Sequence, residues 1–232
     1  LNLFFITFNK YVGKSDKNQA FTPDHITDFM AQICNVNKNS VVLDMACGSG
    51  SFLVRAMTQA LADCHTQAEE DEVKRHHIYG VEYDELVYGL ATTNMLIHSD
   101  GNSNIVQGSC FDEVPRFIKD GVKFNVVLMN PPYNAMAKQM PKKYSETWGK
   151  SKQDPSKGLY FVKFILDQMN ANDMQGKLAV LLPMACAIGN STLMKQMKNA
   201  ILKNNTLDAV FSLPDDIFYP GASACACCMV FD

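Results

Sequence analysis

Four consecutive residues, Asn130-Pro131-Pro132-Tyr133, directly follow the apolar run Phe124-Asn125-Val126-Val127-Leu128-Met129. Two prolines in succession remove two backbone donors and fix two φ angles, which stiffens the turn. Pro131 also drives Asn130 out of the α region, ending the strand and turning the Asn side chain aside. The Asn130 amide oxygen and a neighbouring carbonyl, its own or that of Pro131, can then converge as acceptors, with the Tyr133 ring as a flat wall. Such a corner suits an amino group attached to a planar ring. The plainer alternative is a turn after a core strand.

A second corner lies upstream. Val41-Val42-Leu43-Asp44 is a short apolar strand ending in an acid, followed by Met45-Ala46-Cys47-Gly48-Ser49-Gly50. A helical pattern opens at Ser51, with Phe52, Leu53, Ala56, Met57, Ala60 and Leu61 on one face. Strand, small-residue turn and helix form the nucleotide-binding corner of a doubly wound sheet. The third glycine of a dinucleotide fingerprint would fall at Leu53, and no Gly-Lys-Ser/Thr follows, so this is neither that fingerprint nor a phosphate loop. A second acid, Glu82, ends the next strand, His77-Ile78-Tyr79-Gly80-Val81. An acid at that position holds ribose hydroxyls; the alternative is a solvated strand end.

The rest of the chain reads as the frame for these two corners. Thr22 is expected to cap a helix with Pro23 at its first position and Ile26, Phe29, Met30 and Ile33 on its apolar face. Strands are expected over 41–45, 77–82, 104–107, 124–129, 177–182, 207–212 and 223–231, and helices over 51–65, 84–98, 158–171 and 191–203. Alternating strands and helices point to an α/β fold, a doubly wound, mostly parallel sheet with helices on both faces. Residues 134–156 are polar and lysine-rich, without periodicity, and are expected to form a mobile basic loop.

Composition narrows the partners. The 232 residues are 47% hydrophobic, enough for the core of one large α/β domain. A net charge of −3 gives no bulk attraction to nucleic acid, so any such footprint must be local. Lys138, Lys142, Lys143, Lys150, Lys152 and Lys157 supply one candidate, with a solvated loop as the alternative. Eight cysteines without a signal peptide fit a reducing cytoplasm. Cys225, Cys227 and Cys228 lie on an apolar run with no second half of a zinc motif, so a buried strand and no metal are expected. Leu3-Phe4-Phe5-Ile6 is too short to span a bilayer, and no membrane role is expected. The chain lacks an initiator Met and reads as an excised domain.

The chain resembles the amino-group DNA methyltransferases that use S-adenosylmethionine, and among them the modification subunit of type I restriction–modification systems. The resemblance rests on six segments in family order. They are Gln19 to Asp24, Asp44 to Gly50, Gly80 to Asp84, Asn130 to Tyr133, Gly176 to Pro183 and Leu213 to Tyr219. A Phe-Thr-Pro segment ahead of the glycine loop is the gamma arrangement of these enzymes. The resemblance implies a Rossmann-like methyltransferase fold ending in an antiparallel edge hairpin. It implies one catalytic domain over 1–232, with 1–20 the tail of a preceding helical region.

It also implies site roles. Gln19, Phe21, Thr22 and Pro23 would surround the methionine end of the cofactor, with Asp44, Ala46, Gly48, Ser49 and Gly50 beneath it and Glu82 on its ribose. Gly108-Ser109-Cys110-Phe111 departs from the family's usual Gly-Asp or Gly-Asn. Ser109, with Cys110 beside it, is the candidate contact to the cofactor adenine, and Asp112 is the next. The implied reaction is methyl transfer to the 6-amino group of adenine, flipped out of double-stranded DNA. Asn130 and Pro131 would accept from the amine, and Tyr133 and Phe218 would stack on the base. Tyr219 competes for the second stacking role, and ordinary core packing is the alternative for Phe218. The implied partners are a specificity subunit, a restriction subunit and a second modification subunit. Two rival readings stay open: a protein-glutamine N-methyltransferase, and a binding module that holds cofactor or DNA without catalysis.

Overall fold

The computed structural model describes residues 22–98, 104–146, 148, 152–218 and 225–232. Its centre is a seven-stranded sheet in the order β3-β2-β1-β4-β5-β7-β6. The strands are β1 (Val42–Asp44), β2 (Ile78–Glu82), β3 (Asn104–Gln107), β4 (Val126–Met129), β5 (Lys177–Pro183), β6 (Leu207–Ser212) and β7 (Ala226–Phe231). The first five run parallel, while β7 runs antiparallel to both β5 and β6. The chain therefore winds outward from β1 to β3 in one direction and from β4 onward in the other. The carboxyl ends of β1 and β4 meet at the reversal, where ligands bind in such sheets.

Nine helices are described: α1 (Asp24–Ile33), α2 (Ser51–Ala62), α3 (Gln67–His76), α4 (Glu85–Ile97), α5 (Cys110–Lys119), α6 (Lys142–Ser145), α7 (Leu159–Ala171), α8 (Met184–Ile188) and α9 (Thr192–Leu202). Successive strand residues feed alternate faces, as the period of two requires. Val126 and Leu128 join Ile26, Met30, Phe52, Leu53 and Met95 in one core cluster, under α1, α2 and α4. Val127 and Met129 join Phe111, Leu159, Ile165 and Met197 in the other, under α5, α7 and α9. At about 25 cal/mol per Å², fully burying one such aliphatic side chain contributes roughly 1.5–3 kcal/mol. Truncating Leu53 or Ile165 would thus disturb a whole face.

The expected strands and long helices are present with ends shifted by a few residues. Four α-helices escape the sequence pattern: the short α6 and α8, and the longer α3 and α5. The sequence of α3 is polar on nearly every side and buries only Val73, so no apolar face marks it. Its signal is local instead: Thr66 accepts from the Glu69 amide at 3.2 Å while Glu69 Oε2 accepts from the Thr66 amide at 3.1 Å. That capping box, acidic at the start and basic at the end of the helix, stabilises α3 without a large buried stripe. Helix α5 tolerates Pro115 in its interior, where the missing N–H and ring normally break a helix.

The described residues of the stretch expected as a mobile basic loop, 134–146, 148 and 152–156, carry apolar anchors. Ala135, Met140 and Trp148 are buried, and Met136 pairs with Gln153 in an antiparallel bridge. These anchors tie the described parts of the excursion to the body.

Candidate active site

The glycine corner follows β1. Gly48 and Gly50 have φ of +54° and +80°, a left-handed region that disfavours any residue with a Cβ. A Cβ placed on Gly48 would meet nothing within 4 Å, so the loop faces open space there. Three contacts hold it. Cys47 donates its amide to the Val81 carbonyl at 3.0 Å. Gly48 donates to Glu82 Oε2 at 2.9 Å. Asn94, buried on α4, donates its side-chain amide to the Ser49 carbonyl at 2.9 Å. Sequence reading missed Asn94 because a single polar residue within an apolar helix carries no motif.

Two carboxylates occupy this corner. Asp44 is 1% exposed; its Oδ1 accepts from the Ala46 amide at 3.1 Å, and its Oδ2 is buried with no partner among the described residues. Burial raises its pKa to about 8, opposed by the Ala46 amide and assisted by the Glu82 charge. Glu82 is also buried, and burial raises its pKa against the backbone donors of Asp84 and Gly48. Both of its oxygens are engaged, Oε1 by the Asp84 amide at 2.8 Å and Oε2 by Gly48. The solvated strand end considered for Glu82 does not occur. The residue shapes the glycine loop itself, while each oxygen keeps a lone pair for a ligand.

The Asn-Pro-Pro-Tyr corner follows β4. The Asn130 side chain is engaged at both ends: Nδ2 donates to Thr22 Oγ1 at 3.2 Å, and Oδ1 accepts from the Tyr133 hydroxyl at 2.9 Å. Burial pushes the Tyr133 phenol far up, so it stays a neutral donor. Thr22 does not cap α1, which corrects that expectation; Pro23 holds the cap position, and its carbonyl accepts from Ile26 at 2.9 Å. The Thr22 hydroxyl instead ties the start of the described chain to Asn130. A Cβ on Gly158 would lie 3.3 Å from the Pro131 ring, so the start of α7 braces the turn from behind.

Thr22, Pro23, Asp44, Ala46, Gly48, Ser49, Gly50, Glu82, Asn130, Pro131, Pro132 and Tyr133 flank or belong to the two adjoining corners at the carboxyl ends of β1, β2 and β4. Ser109 lies past the end of β3 at the start of α5 and makes no side-chain cap bond there, which leaves its hydroxyl available. Cys110 does not offer its side chain: the thiol is in the core beside Phe111, and burial raises its pKa strongly. Phe218 is likewise corrected. Its ring is 5% exposed and belongs to the cluster under α1 and α2, the core-packing alternative, so it presents no open stacking face here. Gln19, Phe21 and Tyr219 fall outside the described residues. Among the described residues, no group of three His, Cys, Asp or Glu is placed to hold a metal, and no helix is long and apolar enough to cross a membrane.

Comparison with known proteins agrees with this geometry. The sequence profile of the N-6 DNA methylase family matches residues 3–232. The type II restriction enzyme and methyltransferase RM.BcgI of Heyndrickxia coagulans is 34% identical over 236 residues, covering 100% of this chain and 34% of that protein. The methylase subunit of the type I restriction enzyme EcoEI of Escherichia coli is 25% identical over 209 residues, covering 86% of this chain and 39% of that subunit. The chain thus spans between a third and two fifths of these relatives. Among solved structures, a type I restriction–modification methyltransferase subunit from Streptococcus thermophilus superposes with a TM-score of 0.68 at 22% identity, over 97% of this chain and 48% of that one. That likeness establishes the fold.

Proposed function

This chain belongs to the N-6 DNA methylase family, and from that premise we propose that it transfers a methyl group from S-adenosylmethionine to the 6-amino group of adenine in DNA. The observation that carries the reading is the meeting of the two corners at the sheet's switch point: a glycine loop over two buried carboxylates beside an Asn-Pro-Pro-Tyr turn. In this reading residues 1–232 form one catalytic domain, the modification subunit of a type I restriction–modification system. Its partners would be double-stranded DNA, a specificity subunit that reads sequence, a restriction subunit and a second modification subunit.

The residues present fit the cofactor. Asp44 Oδ2 is a buried acceptor without a partner among the described residues, and two acids in one buried corner favour a ligand that brings positive charge. Thr22 and Pro23, with Gln19 and Phe21, would hold its methionine end. Asp44, Ala46, Gly48, Ser49 and Gly50 would line the floor, Glu82 the ribose and Ser109 the adenine. When bound, the cofactor supplies a methyl group on a sulfonium sulfur, which leaves as a neutral thioether.

The protein's part is alignment and partial charge. The lone pair of adenine's 6-amino nitrogen is delocalised into the ring, so the free amine is a poor nucleophile. Asn130 Oδ1 and the Pro131 carbonyl accept from its two hydrogens and hold the lone pair toward the methyl carbon. With the cofactor bound, that nitrogen would take the methyl group as the sulfur leaves as a thioether, and the methylated amine would pass one proton to solvent water. The amine becomes acidic only as it is alkylated, so no strong general base is required. The target lies within a duplex and must be extruded, with the Tyr133 ring as its stacking wall. Asn130 Oδ1 accepts one bond from the Tyr133 hydroxyl and keeps a second lone pair for the amine.

The family match runs against a protein-glutamine methyltransferase, and the intact, braced Asn130 corner runs against a binding module without catalysis. A second reading of the assembly has support: the 34% identity to RM.BcgI exceeds the 25% to the EcoEI subunit. The same domain would then sit in a polypeptide that also restricts DNA. The complete reading frame, incubated with labelled cofactor and duplex DNA, should place label on N6-methyladenine in a nucleoside digest. Label on protein glutamine instead would overturn the reading.

A further inference from the structure

The excursion between the Asn-Pro-Pro-Tyr turn and α7 is built to meet something. Its first leg continues directly from Tyr133, and its second returns to the start of α7. The legs are laced together: the Asp154 amide donates to the Ala135 carbonyl at 2.8 Å, and the Ala137 amide to the Lys152 carbonyl at 2.8 Å. Inside, Tyr144 packs on Phe111 at 6.0 Å and on Tyr160 at 4.8 Å, with Trp148 stacked on Tyr160 at 6.0 Å between ring centroids. Asp154 is 1% exposed and spends its carboxylate on the return leg, accepting from the Ser156 amide and hydroxyl at 2.7 Å each and from the Gly158 amide at 2.9 Å.

The outside is different. Residues 134–157 hold six lysines against two acids, Glu146 and the buried Asp154, in a chain whose net charge is −3. Lys138, Lys142, Lys143 and Lys152 lie at the surface, and among the described residues they enter no ion pair. Lys152 and Lys157 have φ of +48° and +57°, left-handed conformations uncommon for lysine and typical of places where the surroundings dictate the backbone. Lys157 reaches Asn134 Oδ1 at 2.8 Å, which sets its ammonium beside the residue after Tyr133.

We propose that this laced excursion is the clamp for the DNA backbone next to the extruded base, with Lys138, Lys142, Lys143 and Lys152 on flanking phosphates and Lys157 innermost. The inference rests on the adenine-methyltransferase reading and adds to it the surface that meets the duplex. Phosphate contacts carry no sequence information, so such a clamp acts on any duplex and leaves reading of the site to another element. A rigid apolar interior beneath long lysine side chains holds those charges in register with the stacking wall at Tyr133. An acidic protein surface is the competing partner, and the test separates the two.

The complete protein is compared with its Lys138→Gln/Lys142→Gln/Lys143→Gln/Lys152→Gln variant, and with the same four lysines changed to Arg. Affinity for a non-specific duplex is measured against salt. Each lysine removed from a phosphate should lower the slope of log K against log [salt] by roughly 0.9, so the Gln variant should flatten by two or more such steps and the Arg variant should not. S-adenosylmethionine affinity, measured by calorimetry, should be equal in all three, which confirms that the variants are folded. An unchanged slope in the Gln variant, with wild type still methylating adenine, overturns the clamp alone. Loss of binding to a protein partner with the DNA slope intact also overturns it. Failure of the wild type to bind or methylate duplex DNA at all would remove the enzymatic reading and the clamp together.

Discussion

The two corners at the sheet's switch point differ in what they leave unsatisfied. At the glycine corner a buried carboxylate oxygen of Asp44 has no partner among the described residues, and burial raises that carboxyl's pKa to about 8. At the Asn-Pro-Pro-Tyr corner the Asn130 side chain is engaged at both ends, because its amide group donates to Thr22 and accepts from Tyr133. One corner holds an unpaired buried acceptor; the other has each end of its key side chain partnered before any substrate arrives. An unpaired buried polar group costs about 1–3 kcal/mol, whereas exchanging one neutral hydrogen bond for another is close to neutral. The difference matches the two proposed ligands. A cofactor that stays through the reaction suits a site whose burial penalty it relieves. A base that must enter and leave suits a site that closes behind it.

The sharpest way to break this comparison is Asn130→Ala. It removes one of two acceptors for the target amine and touches nothing in the glycine corner. By analogy with the loss of one oxyanion-hole donor, single-turnover methyl transfer should fall about a hundredfold or more. Cofactor affinity by calorimetry should fall by no more than the single Asn130–Thr22 bond is worth, about fivefold. A large loss of cofactor binding would merge the two corners into one.

Asp44→Asn probes the other side through pH. A carboxyl whose folded pKa lies near 8 takes up a proton on folding wherever the unfolded chain has already lost it. Its contribution to stability is full below the unfolded value near 4 and is lost as pH rises toward 8. Glu82 is shifted the same way and adds to the slope. Without cofactor, the variant's melting temperature relative to wild type should therefore rise from pH 5 to pH 8. A constant difference would mean that Asp44 is not held protonated.

Tyr133→Phe should do least. It keeps the flat wall and removes a donor that shares Asn130 Oδ1 with the target amine. One neutral hydrogen bond is worth about 1 kcal/mol, so KM for DNA should fall by up to about fivefold with kcat little changed. A rise in KM would show that the hydroxyl serves the bound state instead.

How much of this is legible in the sequence depends on the scale of the signal. Strands β1, β2, β4 and β5 announce themselves as apolar runs, and both corners announce themselves through residues that force the backbone, Gly48, Gly50 and the Pro131-Pro132 pair. The Thr22 contact is hidden because a Thr-Pro pair ahead of an apolar face is also a helix start. Its actual partner is Asn130, 108 residues away. Asn94 is invisible for the same reason, since its role exists only once α4 lies beside the glycine loop. Cys110 and Phe218 show the reverse error: the motif order places them near the site, but which way each side chain points is decided by core packing. The basic excursion reads as mobile because its anchors, Ala135, Met140 and Trp148, are too few and too widely spaced to form a period.

The division of labour between the corners is tested most directly by cofactor rescue. Glu82→Ala removes the acceptor of the Gly48 and Asp84 amides, and hydrogen bonds to a charged group contribute roughly 1.5–3 kcal/mol, so cofactor affinity should fall about tenfold or more. Single-turnover transfer to DNA adenine is then measured across rising S-adenosylmethionine for Glu82→Ala and Asn130→Ala side by side. The account predicts that saturating cofactor restores Glu82→Ala to near the wild-type rate while Asn130→Ala stays on its low plateau. Rescue of Asn130→Ala by cofactor, or a Glu82→Ala plateau as low as that of Asn130→Ala, would contradict it.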